Sequence, residues 1–282
     1  MKIFNKKELL NQWLISERKL SSIGFVPTMG ALHQGHISLI EQAKNHCDIV
    51  VCSIFVNPTQ FNDPKDFEKY PITVESDIEM LIDASCDALY LPAIDEIYSD
   101  GTQTLEHYDI GYIETVLEGS TRLGHFQGVM QVVNRLLDAV LPDVLFLGQK
   151  DFQQCMVLKK LIEIKNSLTK VEVLPIQRET DGLAMSSRNR RLTEFQRAIV
   201  PLIYKCLISI EAQQNVKSFE IVQKECFDIL ERKGLKPDYI VLADAETLTL
   251  LDDYDSNRKM IALIATFIGD IRLIDNLILQ KN

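Results

Sequence analysis

Apolar and polar positions along residues 1–175 follow a regular order of short apolar runs and longer amphipathic stretches. The apolar runs, rich in Val, Ile and Phe, are typical of buried parallel strands. They predict strands at Ile23–Val26, Asp48–Val56, Ala88–Leu91, Asp143–Leu147 and Val171–Pro175. Helical periodicity between them predicts helices at Gly35–His46, Val74–Ser85, Gly128–Val140 and Asp151–Leu168. This repeated order predicts an α/β fold, with helices on both faces of a doubly wound parallel sheet.

Past residue 190 the pattern changes, because two helical patterns precede two strand-like runs. These elements are Thr193–Gln213, Val216–Lys233, Tyr239–Ala243 and Lys259–Ala265. Helices followed by strands are typical of a small α+β domain. We therefore predict two domains, residues 1–177 and 178–282, with the segment Arg178–Arg191 as the hinge.

The composition is that of a globular protein with room for a sizeable core, since 46% of its 282 residues are hydrophobic. A net charge of −10 argues against general nucleic-acid binding, which needs a basic surface. Six scattered cysteines without a C-x-x-C pair indicate reduced thiols rather than a disulfide framework. The charged N-terminus and the short apolar runs favour neither export nor membrane insertion. We therefore expect a cytoplasmic protein.

Clusters of polar residues follow four of the predicted strands. They are Pro27–Gly30, Asn57–Gln60, Gly148–Asp151 and Arg178–Arg188. In open α/β sheets, ligands bind beyond the carboxyl ends of the strands. The clusters therefore predict a single site at that edge of the sheet.

The most informative segment follows the first of these clusters and is the turn His33-Gln34-Gly35-His36 at the start of a predicted helix. The first N–H groups of a helix lack partners within it and carry partial positive charge, so they suit an anion. Gly30 and Gly35 allow a ligand to approach the backbone, and the two histidines add donors. A phosphate is the predicted ligand, and surface histidines on an ordinary βα turn are the alternative.

Cationic and hydroxyl groups elsewhere in the chain also suit phosphates. Arg188, with the hydroxyls of Ser186 and Ser187, can hold a phosphate chain, unless this segment is a solvated interdomain loop. Lys150 directly follows a predicted strand and can reach a phosphate, although a surface lysine beside a helix start is common. Each of these segments alone therefore leaves both explanations open.

Four further candidates are polar groups that suit a small acid or a metal. Gln60 and Gln154 can bind a carboxylate or a hydroxyl, although in isolation ordinary surface or capping glutamines are the better explanation. Arg122 lies in a glycine-flanked loop, which is typical of a loop near a ligand or of a mobile connection. Asp77 can supply a carboxylate to magnesium, whereas an acid at a helix start is the simpler explanation.

Two standard nucleotide-binding signatures are missing from the sequence. Gly30 and Gly35 have the spacing of P-loop glycines, but His36-Ile37 stands where Lys-Ser/Thr is required, and no G-x-G-x-x-G follows a strand. Kinase-type and dinucleotide-binding functions are therefore disfavoured. A zinc hydrolase using His33, His36 and His46 lacks a carboxylate partner for its ligands.

Four motifs in fixed order, PTMGALHQGH, FVNPTQF, GQKDFQQ and DGLAMSSRN, resemble those of the pantothenate synthetases, or pantoate–β-alanine ligases. These belong to the nucleotidylyltransferase superfamily with an H-x-G-H motif. The resemblance runs from Val26 to Asn276. It implies a homodimer in which each protomer has a Rossmann-like N-terminal domain for nucleotide and pantoate, and a smaller C-terminal lid. It also implies condensation of pantoate with β-alanine using ATP and magnesium, through a pantoyl adenylate, with release of AMP and pyrophosphate.

The resemblance also implies roles for individual residues. Those implied to line the ATP site are Met29, Gly30, Ala31, Leu32, His33, Gln34, Gly35, His36, Gly148, Gln149, Lys150, Asp151, Gln177, Met185, Ser186, Ser187 and Arg188. Those implied to act in catalysis are His36 as proton donor, His33, Lys150, Ser187 and Arg188. Those implied to bind substrate are Gln60, Gln154, Asn57 and Arg122, and the acid implied to associate with magnesium is Asp77.

Four positions depart from the pattern of the family. Leu123 stands where Pro is frequent, Ile72 where Arg is frequent, Ser76 where an acid is frequent, and Gln177 where an aliphatic residue is usual near the adenine. The change at Ser76 weakens the metal assignment. None of the four removes a motif histidine, lysine or glutamine.

The mechanism implied by the resemblance needs preorganised donors rather than an enzyme nucleophile. The absence of a recognisable Ser-His-Asp or Cys-His arrangement agrees with it. A nucleotidyltransferase that leaves the nucleotide on its product would use the same turn, but its phosphate acceptor would need more basic residues than Gln60 and Gln154. A nucleotide sensor without catalysis would be expected to lack Lys150 or a motif histidine.

Overall fold

The computed structural model describes residues 1–18, 21–62, 67–68, 70–102 and 105–280. Its internal contacts divide the chain into two units. The first comprises Met1–Gly148 and Gln153–Pro175, and the second comprises Gln149–Phe152 and Ile176–Asn282. This division differs from the predicted boundary after residue 177 in two ways. Ile176 and Gln177 group with the second unit, and so does the short turn Gln149–Phe152, which stands apart from it in the sequence.

In the described part of the first unit, six strands form one parallel sheet in the order β1-β4-β3-β2-β5-β6. The strands are β1 (Lys2–Phe4), β2 (Ile23–Thr28), β3 (Ile49–Ile54), β4 (Ala88–Tyr90), β5 (Val144–Gly148) and β6 (Lys170–Leu174). The chain moves outward from β2 to one edge and then returns to place β5 on the other side of β2. The strand order therefore reverses between β2 and β5, which is where ligands bind in such sheets. The predicted α/β class is confirmed.

Helices connect these strands within the first unit. They are α1 (Lys7–Glu17), α2 (Gln34–His46), α3 (Val74–Asp83), α4 (Ile94–Ile97), α5 (Leu117–Thr121), α6 (His125–Val140) and α7 (Phe152–Ile164). Short 3-10 helices occur at Pro58–Gln60 and Gly111–Glu114. Strand β1 and helix α1 were not among the predicted elements.

Alternation along the strands directs neighbouring side chains to opposite faces of the sheet. Phe25 and Leu145 belong to one buried cluster, which also includes residues of α1, α6 and α7. Val26 and Phe146 belong to a second cluster, which includes residues of α2 and α3. The sheet is thus covered on both faces, so the rigid ends of its central strands can support a site.

The second unit contains a four-stranded antiparallel sheet among its described residues, in the order β10-β9-β7-β8. The strands are β7 (Lys236–Asp244), β8 (Leu250–Leu251), β9 (Met260–Ile268) and β10 (Ile271–Ile278). Its helices are α8 (Glu194–Ile199), α9 (Leu202–Gln213) and α10 (Phe219–Arg232). The sheet and helices share one buried cluster, as predicted for a smaller α+β domain.

The helix predicted over Thr193–Gln213 is divided by Pro201. This residue has no backbone N–H to donate within a helix, and it stands at the N-cap of α9. Thr193 caps α8 in a capping box. Its Oγ1 accepts from the Gln196 backbone N–H, and its own backbone N–H donates to Gln196 Oε1. None of the helices described here is long and apolar enough to cross a membrane.

Candidate active site

The turn after β2 bends through two left-handed residues. Thr28 Oγ1 accepts from Gly30 N at 3.2 Å and donates to the Ser53 carbonyl at 2.7 Å, which holds the end of β2 against β3. Gly30 has φ +82°, and Ala31 has φ +50°, a conformation that costs energy for a residue with a Cβ atom. Contacts outside the turn must therefore hold Ala31 in place.

Asp77, on the first turns of α3, supplies those contacts. Its Oδ2 accepts from Ala31 N at 2.9 Å, and its Oδ1 accepts from Leu32 N at 2.8 Å and from Thr73 Oγ1 at 3.0 Å. Only 1% of the residue is exposed. Both carboxylate oxygens thus hold the turn, so these contacts give Asp77 a different task from the predicted binding of magnesium. Among the residues described, no group of three His, Cys, Asp or Glu side chains could hold a metal ion.

His33 and His36 form a capping box at the start of α2. The Nδ1 atom of His33 accepts from Gly35 N at 3.1 Å, and the Nδ1 atom of His36 accepts from His33 N at 3.3 Å. A neutral imidazole that accepts at Nδ1 carries its proton on Nε2. The geometry therefore assigns the Nε2–H tautomer to both rings, whose centroids are 4.1 Å apart. The capping box turns two histidines into a pair of preoriented N–H donors.

Gln60 is buried in the 3-10 turn after β3, where its side-chain amide has a defined orientation. Its Oε1 accepts from Asn57 Nδ2 at 3.1 Å, and its Nε2 lies 3.0 Å from the Met29 sulfur. Asn57 Oδ1 in turn accepts from the Tyr98 hydroxyl at 2.7 Å. Burial raises the pKa of Tyr98, which keeps this hydroxyl protonated as a donor. The structure thus brings together three predicted residues, Met29, Asn57 and Gln60.

Helix α6 supports the Gln60 turn from the other side. His125 Nδ1 donates to the Gln60 carbonyl at 2.8 Å, and the Gly128 carbonyl accepts from Asn57 Nδ2 at 3.0 Å. A Cβ atom at Gly128 would collide with the backbone of Thr59, so only glycine permits this approach. Tyr98 was not among the predicted site residues, because no spacing in the sequence connects it to Gln60.

Two predicted substrate residues lie on neighbouring helices. Arg122 ends α5, with its guanidinium 4.0 Å from the Glu118 carboxylate. Gln154 is half-buried near the start of α7. Its neighbour Gln153 is buried and bonds to the backbone of Ile113, Val116 and Glu118, which makes Gln153 a structural residue.

In the second unit, Gln149–Asp151 forms a 3-10 turn that carries Lys150. Lys150 Nζ lies 3.5 Å from Asp151 Oδ1. The Asn276 side chain donates to the carbonyls of Gln149 and Lys150, both at 3.0 Å. This turn is therefore fixed by strand β10.

The segment with Ser186, Ser187 and Arg188 is also locally ordered in the second unit. Ser186 Oγ accepts from Arg188 N at 3.3 Å and caps the 3-10 helix Ser187–Arg191. Met185 N donates to the Gln177 carbonyl at 3.0 Å. Five predicted ATP-site residues, Gln177 and Met185 to Arg188, thus lie in one connected segment.

Comparison with known proteins shows to which protein family the chain belongs. A family model described as pantoate-beta-alanine ligase matches residues 2–278. The chain belongs to that family. It is accordingly a ligase, of the family whose reaction joins pantoate to β-alanine.

Known members of the pantoate–β-alanine ligase family resemble this chain in sequence and in structure. The pantothenate synthetase of Cytophaga hutchinsonii is 43% identical over 266 residues, which are 93% of each protein. The crystal structure of the pantothenate synthetase of Thermus thermophilus is 34% identical, with a TM-score of 0.91 over 98% of this chain and 99% of that one. A pantoate-beta-alanine ligase of Francisella tularensis, complexed with beta-gamma ATP and beta-alanine, is 38% identical, with a TM-score of 0.83 over 99% and 97%. The fold predicted for the family is therefore confirmed.

Proposed function

We propose that this chain condenses pantoate with β-alanine to form pantothenate, a precursor of coenzyme A, through a pantoyl adenylate. In the first step, a carboxylate oxygen of pantoate bonds to the α-phosphorus of ATP, and the bond to the bridging oxygen breaks to release pyrophosphate. In the second step, the β-alanine amine attacks the acyl carbon and loses a proton, and AMP leaves. No covalent bond to the enzyme is required.

The observation that carries this proposal is the pair of Nε2–H donors fixed by the capping box of His33 and His36. Negative charge moves onto phosphate oxygens as pyrophosphate leaves, and donors that are already oriented stabilise that charge without reorganisation. We assign His36 as the principal donor and proton source, and His33 as its neighbour on the phosphates. The other turn residues, Met29 to Gly35, complete this part of the ATP site.

The second unit contributes cationic and hydroxyl groups in the proposal. Lys150 serves as a point charge for the phosphates, and Arg188 serves as a planar fork, with Ser187 as a hydroxyl donor. Gln149, Asp151 and Gly148 flank the lysine, while Gln177, Met185 and Ser186 complete the nucleotide contacts. The ordered turn of Lys150 and the capped turn at Ser186 support these roles.

Gln60 is proposed to bind pantoate together with Asn57, Gln154 and Arg122. Asn57 fixes the orientation of the Gln60 amide, so one N–H of its Nε2 is preorganised for a carboxylate or a hydroxyl while the other faces the Met29 sulfur. This arrangement favours a small acid over a phosphate acceptor, which argues for amide formation against simple nucleotidyl transfer.

Magnesium, the dimer and the location complete the proposal. We propose that Mg²⁺ enters bound to the ATP phosphates, and we assign it no protein ligand, because the Asp77 oxygens already hold the turn. The family resemblance supports a homodimer. All six cysteines are buried thiols, which supports a reducing, cytoplasmic location.

Product analysis tests the function. Purified protein is incubated with ATP, Mg²⁺, pantoate and β-alanine, with controls that omit each acid in turn, and the nucleotides are separated by chromatography. We expect AMP, pyrophosphate and pantothenate in equal amounts. ADP and phosphate would exclude the adenylate, and a product that retains the AMP group after β-alanine is added would indicate a nucleotidyltransferase.

A further inference from the structure

Strand β10 contains two consecutive buried polar residues near its end, Asp275 and Asn276. Only 4% of Asp275 and 2% of Asn276 are exposed. Their backbones pair with Ile264 and Leu263 of β9, so they lie within the regular sheet. Burying two polar side chains in a strand is costly unless each finds partners.

Asn276 finds its partners in the Lys150 turn. Its Nδ2 donates to the Gln149 and Lys150 carbonyls, both at 3.0 Å, and its Oδ1 accepts from Gln149 Nε2 at 3.0 Å. One buried amide therefore holds three polar groups of the turn. These contacts explain why Gln149–Phe152 groups with the second unit although the flanking sequence belongs to the first.

Asp275 and Arg178 fix Asn276 itself. Arg178 makes two bonds to the Asp275 carboxylate, at 2.7 and 3.0 Å, and Arg178 Nη2 donates to the Asn276 carbonyl at 3.2 Å. The Arg178 guanidinium lies 3.9 Å from the centre of the Tyr204 ring. Burial raises the pKa of Asp275, and the Arg178 guanidinium opposes that shift. The strand end that carries Asn276 is thus held by a bidentate ion pair.

We propose that Asn276 is a positioning residue for Lys150. The inference rests on the proposed function of Lys150, which is to stabilise the phosphates of ATP. Asn276 does not act on substrate, but it fixes the backbone from which the lysine side chain extends. A cation displaced by about 1 Å can cost about 10²-fold in rate, so loss of this anchor lowers turnover more than it lowers substrate binding.

A double-mutant cycle tests the inference. Asn276→Ala is expected to lower kcat on the order of 10-fold to 100-fold, with the KM for pantoate changed by less than about 3-fold. In a Lys150→Ala background, the same substitution is expected to have almost no further effect, because the group that it positions is gone. An equal loss of kcat in both backgrounds would overturn the inference.

Two further variants keep the test decisive. Asp238→Asn is the matched control, because Asp238 pairs with Arg272 of the same strand β10 at 2.8 Å and contacts neither Lys150 nor its turn. We expect it to leave kcat unchanged.

If Asn276→Ala does not unfold cooperatively, Gln149→Ala removes one of the three bonds and replaces Asn276→Ala in the double-mutant cycle, with a smaller expected loss of kcat. Equal kcat in Gln149→Ala and wild type would then overturn the inference.

The wild-type assay separates this inference from the proposed function. Failure of the wild-type protein to form AMP and pyrophosphate would contradict the proposed function. Normal products together with additive effects of the Asn276 and Lys150 substitutions would contradict only the positioning role.

Discussion

The H-x-G-H turn of the first unit and the Lys150 turn of the second unit are held by different means. In the first, neutral imidazole donors are oriented by backbone N–H groups two or three residues away, with Asp77 beneath the preceding residues. In the second, a cationic side chain extends from a turn whose carbonyls accept from Asn276, up to 127 residues later in the chain. Local contacts thus orient the neutral donors, whereas long-range contacts fix the turn that carries the cationic lysine.

The difference has a physical reason. A helix start has unpaired N–H groups, so two histidines can be oriented there with little further structure. A lysine is a flexible point charge that loses considerable rotamer entropy when it is ordered, so fixing the backbone beneath it is the available means of control. We therefore expect variants of the first turn to act directly on catalysis or on local stability, and variants of the second to act through Lys150.

The largest effect is expected for His36→Ala. Removing one of the paired Nε2–H donors should lower turnover about 10²-fold or more, since charge that develops on the phosphates loses an oriented partner. Steady-state AMP release measures the change, with thermal unfolding as a check of the fold. His46→Ala is the matched control, because His46 lies half-exposed at the end of the same helix α2. Unchanged turnover in His36→Ala would remove this histidine from the mechanism.

A smaller effect is expected for Asp77→Asn. The amide keeps the shape of the side chain but turns an N–H group toward the backbone N–H of Ala31 or Leu32, which leaves buried donors unpaired. We expect a loss of about 2 kcal/mol in the free energy of unfolding and a lower kcat. Urea denaturation measures the first quantity.

Asp83→Asn is the control for Asp77→Asn. Asp83 is exposed at the end of the same helix α3, so its substitution should change the free energy of unfolding by less than about 0.5 kcal/mol. If Asp77→Asn has unchanged stability and a higher Mg²⁺ requirement, Asp77 does not hold the turn, and the predicted metal role is favoured instead.

The smallest effect is expected for Asp181→Asn, in the segment that leads to Ser186. The Arg197 guanidinium lowers the pKa of Asp181 below its ordinary value of 3.8. A carboxyl group whose pKa is lowered by folding stabilises the folded state at pH values above its unfolded-state pKa. That contribution is lost as the pH falls through its folded-state pKa. The pair is largely exposed, so we expect about 0.5 kcal/mol at pH 7. The free energies of unfolding of the variant and the wild type are compared at pH 7 and well below pH 3.8. An equal difference between the two proteins at both pH values would contradict the assigned cause.

Local pattern was sufficient to predict the central part of the fold. The strands β2 to β6 and the helices α2, α3, α6 and α7 have apolar runs of clear period, so their positions follow from the sequence. Strand β1 was missed because it has three residues, two of them exposed, at the edge of the sheet. Strand β10 was missed because polar residues interrupt its apolar pattern, and two of these are buried only through partners elsewhere in the chain.

The same distinction applies to the site. The paired histidines were predicted to be anion donors because their spacing is local. Asp77 holds the backbone of Ala31 from 46 residues away, and Asn276 anchors the Lys150 turn. Both contacts depend on how the chain folds back on itself. Spacing along a sequence does not contain that information, so neither of these two contacts was predicted.

The central claim is that pantoate becomes covalently bound to AMP before β-alanine reacts. Pantoate labelled with ¹⁸O in its carboxylate tests it most directly, when it is incubated with ATP, Mg²⁺, β-alanine and the wild-type protein. Attack of the carboxylate on the α-phosphorus should leave one labelled oxygen in the AMP that is released, which mass spectrometry detects. Unlabelled AMP would contradict the adenylate mechanism.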